Sequence, residues 1–402
     1  MEQWTTQRIG DLATVFDGPH ATPAKTKSGP WFLSISSLSE GRLDLTESAH
    51  VSEADFTKWT RRVTPEEGDL LFSYETRLGA AALMPPGVRG CLGRRMGLLR
   101  PHRKRVDERF LLYAYLGPEF QGEIKARAVR GATVDRIPIA EIANWPLRVP
   151  PLCHQRAIAE VLGALDDKMA VNERIAETAN ALAEALYVRD SAIEQGWRMI
   201  ALSDCAKWLS GGTPKTSEPS YWDGDIPWIS AASLKSAWLD DSERKVTRLG
   251  AENGTRLVPA GTIIFVVRGM SLTSEFRVGL TQREVAFGQD CKALIPHAGI
   301  DSVVLLLALR ARTREILGLV DTAGHGTGRL GTDRIAKLRV RLPEGERATA
   351  FAETVRPLAQ RASAVQNENR TLAALRDTLL PQLVTGKIRV KDAERVVEEA
   401  TS

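Results

Sequence analysis

The sequence predicts an α+β fold: two mixed α/β modules related by a pseudo-two-fold axis and separated by a pair of long antiparallel coiled-coil helices. Three observations predict it. Blocks of the first half recur, in the same order, about 193 residues later. Each half closes on an apolar seven-residue repeat. Within each half, short β-branched and aromatic runs bounded by Gly and Pro do not alternate regularly with helices, which argues against a doubly wound sheet. The 402 residues, 43% hydrophobic and 26% charged, suit two or three globular domains.

The repeat starts at the N-terminus. Trp4, Ile9, Asp11 and Ala13 return as Trp197, Leu202, Asp204 and Ala206, and Thr22-Pro23 as Thr213-Pro214. Phe32, Ser34, Ser37 and Leu38 return as Trp228, Ser230, Ser233 and Leu234. Gly68–Phe72 returns as Gly261–Phe265, Gly93–Pro101 as Gly288–Pro296, and Leu147–Pro150 as Val340–Pro343. Two copies are too few for a solenoid and imply two domain-sized units. Strands are expected at Trp31–Ile35, Leu70–Tyr74, Ile226–Ile229 and Thr262–Val267, and short helices near Glu108–Leu116 and Ser302–Leu317.

After Pro150-Pro151 a long helix begins. Ile158, Leu165, Asn172, Ala179 and Leu186 recur every seven residues, with Val161, Ile175 and Leu182 expected on the same face. In the second half Leu358, Val365, Leu372 and Leu379 keep the same step, with Leu375 beside them, and Pro381 and Gly386 are expected to end the helix. A helix of about 36 residues spans roughly 54 Å, too long to bury in one small module, so the two seams are expected to pack on each other. Asn172 falls either in the seam, where it would set register, or just off it in solvent. The expected organisation is a first module at 1–150, a helix at 151–192, a second module at 193–343, a helix at 344–390 and a tail at 391–402.

Several function classes lack their signatures. Gly386-Lys387 is followed by Ile388 and is no P-loop. Gly326–Gly331 fits the spacing of a dinucleotide loop, but a helix is expected before it and a strand approach after it, the reverse of what that loop requires. His-Glu-x-x-His, a His/Cys zinc cluster, a Gly-x-Ser-x-Gly elbow and an Asp/Asn-Pro-Pro-aromatic methyltransferase loop are all missing. The four cysteines, Cys91, Cys153, Cys205 and Cys291, are unpaired by spacing and read as reduced thiols. The longest apolar run, Val303–Leu309, is too short to span a membrane, and the start lacks a signal-like stretch, so a cytoplasmic protein is expected.

Binding chemistry remains. The net charge of +4 averages unequal zones. Residues 89–136 carry 12 basic and 5 acidic side chains and residues 244–339 carry 15 and 8, whereas residues 1–88 carry 8 and 12. Local positive surfaces attract phosphates whatever the total charge. The candidate DNA-binding residues of the first module are Lys25, Lys27, Arg77, Arg94, Thr133 and Arg136. Those of the second are Lys215, Thr216, Tyr221, Trp222, Arg268, Gln289, Lys292, Thr327, Arg329 and Arg334. Arginine forks suit phosphate oxygens and guanine edges.

Pro150-Pro151-Leu152-Cys153-His154-Gln155-Arg156-Ala157-Ile158, running on to Asp166-Asp167-Lys168 and Asn172–Thr178, resembles the first conserved helix of the specificity subunits of type I restriction–modification systems. Leu375–Leu383 with Gly386-Lys387-Ile388 resembles the end of the second helix. Thr213-Pro214, Tyr221-Trp222 and Ile226–Ile229 resemble the entry of a target-recognition domain. The first module lacks the Tyr-Trp pair, and Glu344-Gly345-Glu346 stands where a Pro-Leu-x-x-Gln run would begin the second helix.

The resemblance implies a non-catalytic specificity subunit serving DNA methylation and phage defence. Two target-recognition domains would each read half of a bipartite, asymmetric DNA sequence, with the helices as spacer. Two methyltransferase subunits would dock on the helices and bring S-adenosylmethionine, and restriction subunits with ATP and Mg would join through them. No metal or cofactor is expected on this chain. A stand-alone DNA-binding regulator, a scaffold and an enzyme with an unrecognised site are the competing classes.

Overall fold

A computed structural model describes residues 4–19, 22–39, 41–131, 134–322 and 326–401. The chain forms two compact units, Met1–Ala170 with Arg370–Ser402, and Val171–Asn369.

In the first unit, short apolar runs buried at nearly every position of the central strands build an antiparallel sheet in the order Ala13–Asp17, Met96–Pro101, Leu70–Ser73, Ala81–Leu83. A second sheet places Thr26–Leu33 between Ala49–His50 and, in parallel, Gly90–Leu92. Thr5–Arg8 pairs with Pro146–Val149, so the module's first strand closes on the strand that leads into the long helix. The second unit repeats each step. Ala206–Ser210, Cys291–Pro296, Ile263–Val266, Val278–Thr281 and Trp238–Leu239 form one sheet, and Trp222–Ile229 runs parallel to Val285–Phe287 in another. Trp197–Ala201 closes on Arg339–Pro343. The four expected strands are present as Thr26–Leu33, Leu70–Ser73, Trp222–Ile229 and Ile263–Val266. The expected helices are present as Glu108–Leu116, Ser302–Ala311 and Thr313–Gly318.

Equivalent positions solve burial differently. Asp69, 2% exposed, is held by both nitrogens of an Arg100 fork at 3.0 and 2.7 Å. Its repeat counterpart Thr262 is fully buried, donates from its hydroxyl to the Pro259 carbonyl at 2.8 Å and from its backbone N–H to Thr281 Oγ1 at 2.9 Å.

The long helices are Leu152–Ser191 and Gly345–Leu383. In the first unit they run antiparallel: Arg148 donates to the Thr385 carbonyl (3.4 Å) and Arg376 pairs with Asp166 (3.1 Å). Ile158, Leu162, Leu165 and Met169 pack there with Leu372, Leu379 and Leu383, and half-buried Leu375 leans on the same core. In the second unit they are antiparallel as well, with Asn172 against Asn369 and the Tyr187 ring 6.3 Å from Phe351. Ala179, Ala183, Tyr187, Phe351, Val355, Ala359 and Ala362 share that core, with Leu186 and Leu358 half-buried at its margin. Val365 is buried.

The seam corrects one expectation. The row that accompanies Ile158, Leu165, Asn172 and Ala179 is Leu162, Met169, half-buried Ala176 and Ala183, four positions on; of the expected row three positions on, Val161 packs half-buried against the first unit's core. Leu182 is therefore turned out at 47% exposure and Ile175 is only half-buried. Heptad spacing permits either companion row, and small alanines satisfy the second core without the larger side chains. Asn172 lies in the seam: it is fully buried, and its amide donates to Glu368 Oε2 and Asn369 Oδ1, both at 2.9 Å.

The second helix also runs past Pro381 to Leu383. The chain turns at Gly386, whose φ of +69° favours glycine and whose missing Cβ leaves room for the Trp4 indole. Residues 391–401, expected as a tail, belong to a helix, Val390–Thr401, whose Ala393 is buried in the first unit's core.

Three buried polar contacts fix the start of the first long helix. Gln155, 1% exposed, accepts from Asp107 N (3.0 Å) and donates to the Arg105 and Pro150 carbonyls (3.2 and 2.9 Å). Asp107 in turn caps the helix Glu108–Leu116. In the second unit the capping residue Asp301 is gripped by Arg356 at 2.6 Å. The second helix thus lacks the glutamine run without losing the link it makes.

Candidate nucleic-acid interface

In each unit three chain segments converge at one end of the main sheet, because a strand that leaves a sheet must carry its unpaired backbone groups to new partners. In the first unit Tyr74 N donates to the Arg95 carbonyl (3.1 Å) and Ile137 N to the Tyr74 carbonyl (2.8 Å). Arg136 exchanges two backbone bonds with Val129 (2.9 and 3.0 Å) and bridges to Glu75. This gathers Arg77, Arg94, Arg95 and Arg136 around one loop cluster. Arg95 is neutralised by Glu75 at 2.6 Å. Arg77 donates to the Ile35 carbonyl at 3.3 Å. Arg94 and Arg136 are exposed and have no carboxylate partner among the described residues. Beneath them Tyr74 is buried, and burial together with the Asp17 charge pushes its hydroxyl up to about 12.

The second unit builds the same cluster. Val267 N and Arg268 N donate to the Asp290 carbonyl (2.8 and 3.3 Å), and Leu330 N donates to the Val267 carbonyl (2.9 Å). Arg268–Gly269, Gly328–Leu330 and Val320–Thr322 form a three-stranded finger with Arg268 directly opposite Arg329. Gly328–Leu330, from the glycine-rich run, is thus a strand of an antiparallel sheet and not the strand-to-helix turn a dinucleotide requires. Arg268, Gln289 and Arg329 are exposed here, while Thr327 is half-buried. Arg334 is engaged by Asp321 (2.8 Å), Arg268 stands 4.0 Å from Asp290, and Lys292 donates to Ser210 Oγ (2.6 Å). Arg329 has no carboxylate partner among the described residues.

The remaining candidates lie elsewhere. Lys25 and Lys27 are exposed at the beginning of Thr26–Leu33. Thr133 falls outside the described residues. Lys215 and Thr216 are exposed on the loop that passes over two tryptophans. Trp222, expected as a contact, is a packing residue at 9% exposure. It meets Trp228 edge to face at 5.5 Å and donates from Nε1 to the Lys215 carbonyl at 3.2 Å, while Tyr221 packs half-buried beside it. An indole gains more from burial than from solvent, and its N–H has found a carbonyl.

That tryptophan pair carries a cation the sequence reading missed. The Arg244 guanidinium lies 3.7 Å over the Trp222 ring and 5.2 Å from Trp228, exposed and without a carboxylate partner among the described residues. Stacking holds a fork that would otherwise be mobile. The sequence signal for it was weak: one arginine among many, brought to the rings by pairing of Lys245–Val246 with Trp222–Ile229.

A family model for the type I restriction modification DNA specificity domain matches residues 1–181 and again residues 194–371. The chain belongs to this family. DNA target recognition is the role of the family. The EcoR124I/EcoR124II specificity subunit of Escherichia coli is 28% identical over 164 residues, 39% of this chain and 40% of that protein. The HindI specificity subunit of Haemophilus influenzae is 25% identical over 225 residues, 53% of this chain and 48% of its own. The chain therefore spans less than half the length of these two relatives. The MjaVIII specificity subunit of Methanocaldococcus jannaschii is 19% identical across 97% of this chain and 94% of its own. Among solved structures, the S subunit of a type I restriction–modification system from M. genitalium superposes with a TM-score of 0.61 at 18% identity, covering 95% of this chain and 96% of that one, a likeness of fold. No helix among the described residues is long and apolar enough to cross a membrane.

Proposed function

We propose that this chain is the sequence-reading subunit of a type I restriction–modification complex. Each unit reads one half of a bipartite DNA target, and the chain performs no chemistry itself. The observation that supports this most is the duplicated loop cluster, which in both halves ends in exposed arginines without carboxylate partners among the described residues: Arg94 and Arg136 in one, Arg329 in the other. Such side chains gain an anion on binding instead of breaking an ion pair. Methyl transfer belongs to methyltransferase subunits that bring S-adenosylmethionine and flip the adenine, and restriction subunits with ATP and Mg join through them. The turned-out residues of the first long helix supply a docking surface for these partners. Val171, Ile175, Leu182 and Leu358 line a groove of about 460 Å³ in the second unit, with Val171 50% and Leu182 47% exposed. Apolar area displayed in this way marks protein contact.

The decisive experiment exchanges Trp197–Pro343 for the equivalent segment of another family member and sequences the modified genome. The reading expects one half of the methylated motif to change while the other half and the gap persist. A change in both halves would refute it.

A further inference from the structure

We propose that Met270 is an apolar base-contacting side chain, pressing its thioether against the hydrophobic surface of a base in the half-site read by the second unit. This rests on the DNA-reading function proposed above and names one of its contacts.

Met270 is 76% exposed, the most exposed large apolar side chain among the described residues. It does not sit on a loose loop. It opens a short 3-10 turn, Met270–Thr273, that is locked at several points: Thr273 Oγ1 donates to the Met270 carbonyl (2.7 Å), and Ser274 N donates to the Ser271 carbonyl (3.0 Å). The turn's anchor is Leu272, 1% exposed. Gly328 lets the neighbouring strand lie directly on it, since a Cβ there would come within 2.7 Å of Leu272 Cβ. Met270 lends the turn only a backbone oxygen, so its side chain has no part in holding the fold.

Two exposed arginines lie beside it, with Asp290 4.0 Å from Arg268 and Asp321 opposite Arg329 across the finger. Met270 follows Arg268-Gly269, and Arg268 faces Arg329 in direct antiparallel register. Like charges opposed in this way destabilise a ladder. At the equivalent register position of the first unit an acidic residue, Glu75, faces Arg136 across the backbone bridge, although its carboxylate pairs with Arg95. In the second unit two exposed arginines are retained beside an outward methionine on a braced turn. Phosphates and base edges answer the arginines; the apolar part of the same ligand, a thymine methyl or a base face, answers the methionine.

The test uses the native complex, purified from its host through a tag on this chain, and duplex oligonucleotides carrying the methylated motif found in that host. Met270→Ala should weaken binding to the motif duplex roughly tenfold. It should leave the salt dependence and the affinity for a scrambled duplex unchanged, because no charge is altered. Met270→Leu should bind like the parent. Replacing thymines of the half-site by uracil one at a time, and placing 2-aminopurine beside them, distinguishes the two apolar surfaces. A methyl contact appears as one uracil that weakens the parent but not M270A. Insertion against a base face appears as fluorescence that rises with the parent and not with M270A. If the parent prefers the motif duplex and M270A binds it equally well, the inference falls and the DNA-reading function stands. If the parent shows no preference for the motif duplex, both fall.

Discussion

Gln155→Leu removes two hydrogen bonds that join the start of the first long helix to the segment leading into the capped helix Glu108–Leu116, and a third to the Pro150 carbonyl at the helix's own start, while nearly preserving side-chain volume. Asp107 N, the Arg105 carbonyl and the Pro150 carbonyl each lose a partner at 3.0, 3.2 and 2.9 Å. At about 1 kcal/mol for each bond, the first unit loses about 3 kcal/mol. For a unit of that size each kcal/mol moves the melting temperature by about 2–4 °C, so calorimetry should show a fall of about 6–12 °C. The exposed neighbour Arg156→Leu serves as control and should move it by less than about 2 °C. A Gln155→Leu shift no larger than that of the control would refute the claim that this glutamine holds the helix to its module.

Other outcomes follow from the same geometry. Leu182→Glu, at a position 47% exposed, should leave stability within about 0.5 kcal/mol of the parent, yet abolish co-purification of methyltransferase, read by tagged pull-down. Arg329→Ala should weaken DNA binding and lower the slope of affinity against salt by about one, or relax a single base position if the fork reads guanine; filter binding at several salt concentrations checks both. Only Cys153 is exposed among the four cysteines, and burial pushes Cys91 and Cys205 to about 11 and Cys291 to about 12. Ellman titration of the native protein at pH 8 should count one fast thiol, and four after unfolding. The folded values of those three thiols lie above the ordinary 9.0, so the stability they contribute is complete below pH 9 and is lost as pH rises toward 11–12, which urea titrations across that range should show.

Much of this was legible in the chain because it is local or repeated. Seven-residue spacing from Ile158 to Ala179 and from Val365 to Leu379 placed the seam, and the repeated Gly-Asp-Leu-Leu-Phe and Gly-Thr-Ile-Ile-Phe blocks placed equivalent strands. The companion row was not legible, since Ile175 and Leu182 suit a seam on hydrophobicity alone. The choice of Ala176 and Ala183 instead depends on what the opposite helix presents. Loop arginines were equally ambiguous. Arg94 and Arg334 look alike in sequence, but only Arg334 meets a carboxylate, Asp321, thirteen positions away.

The sequence by itself determined the two-fold repetition, the α+β class, the long helices and the family, because periodicity and order survive without knowledge of distant contacts. Only the tertiary structure decided which cations are neutralised, that Trp222 is buried, that Arg244 is stacked on it, that Asn172 lies in the seam and that Met270 stands clear. Each of these depends on which side chains from separate strands and helices come within a few ångströms of one another, and that follows from strand register and helix packing.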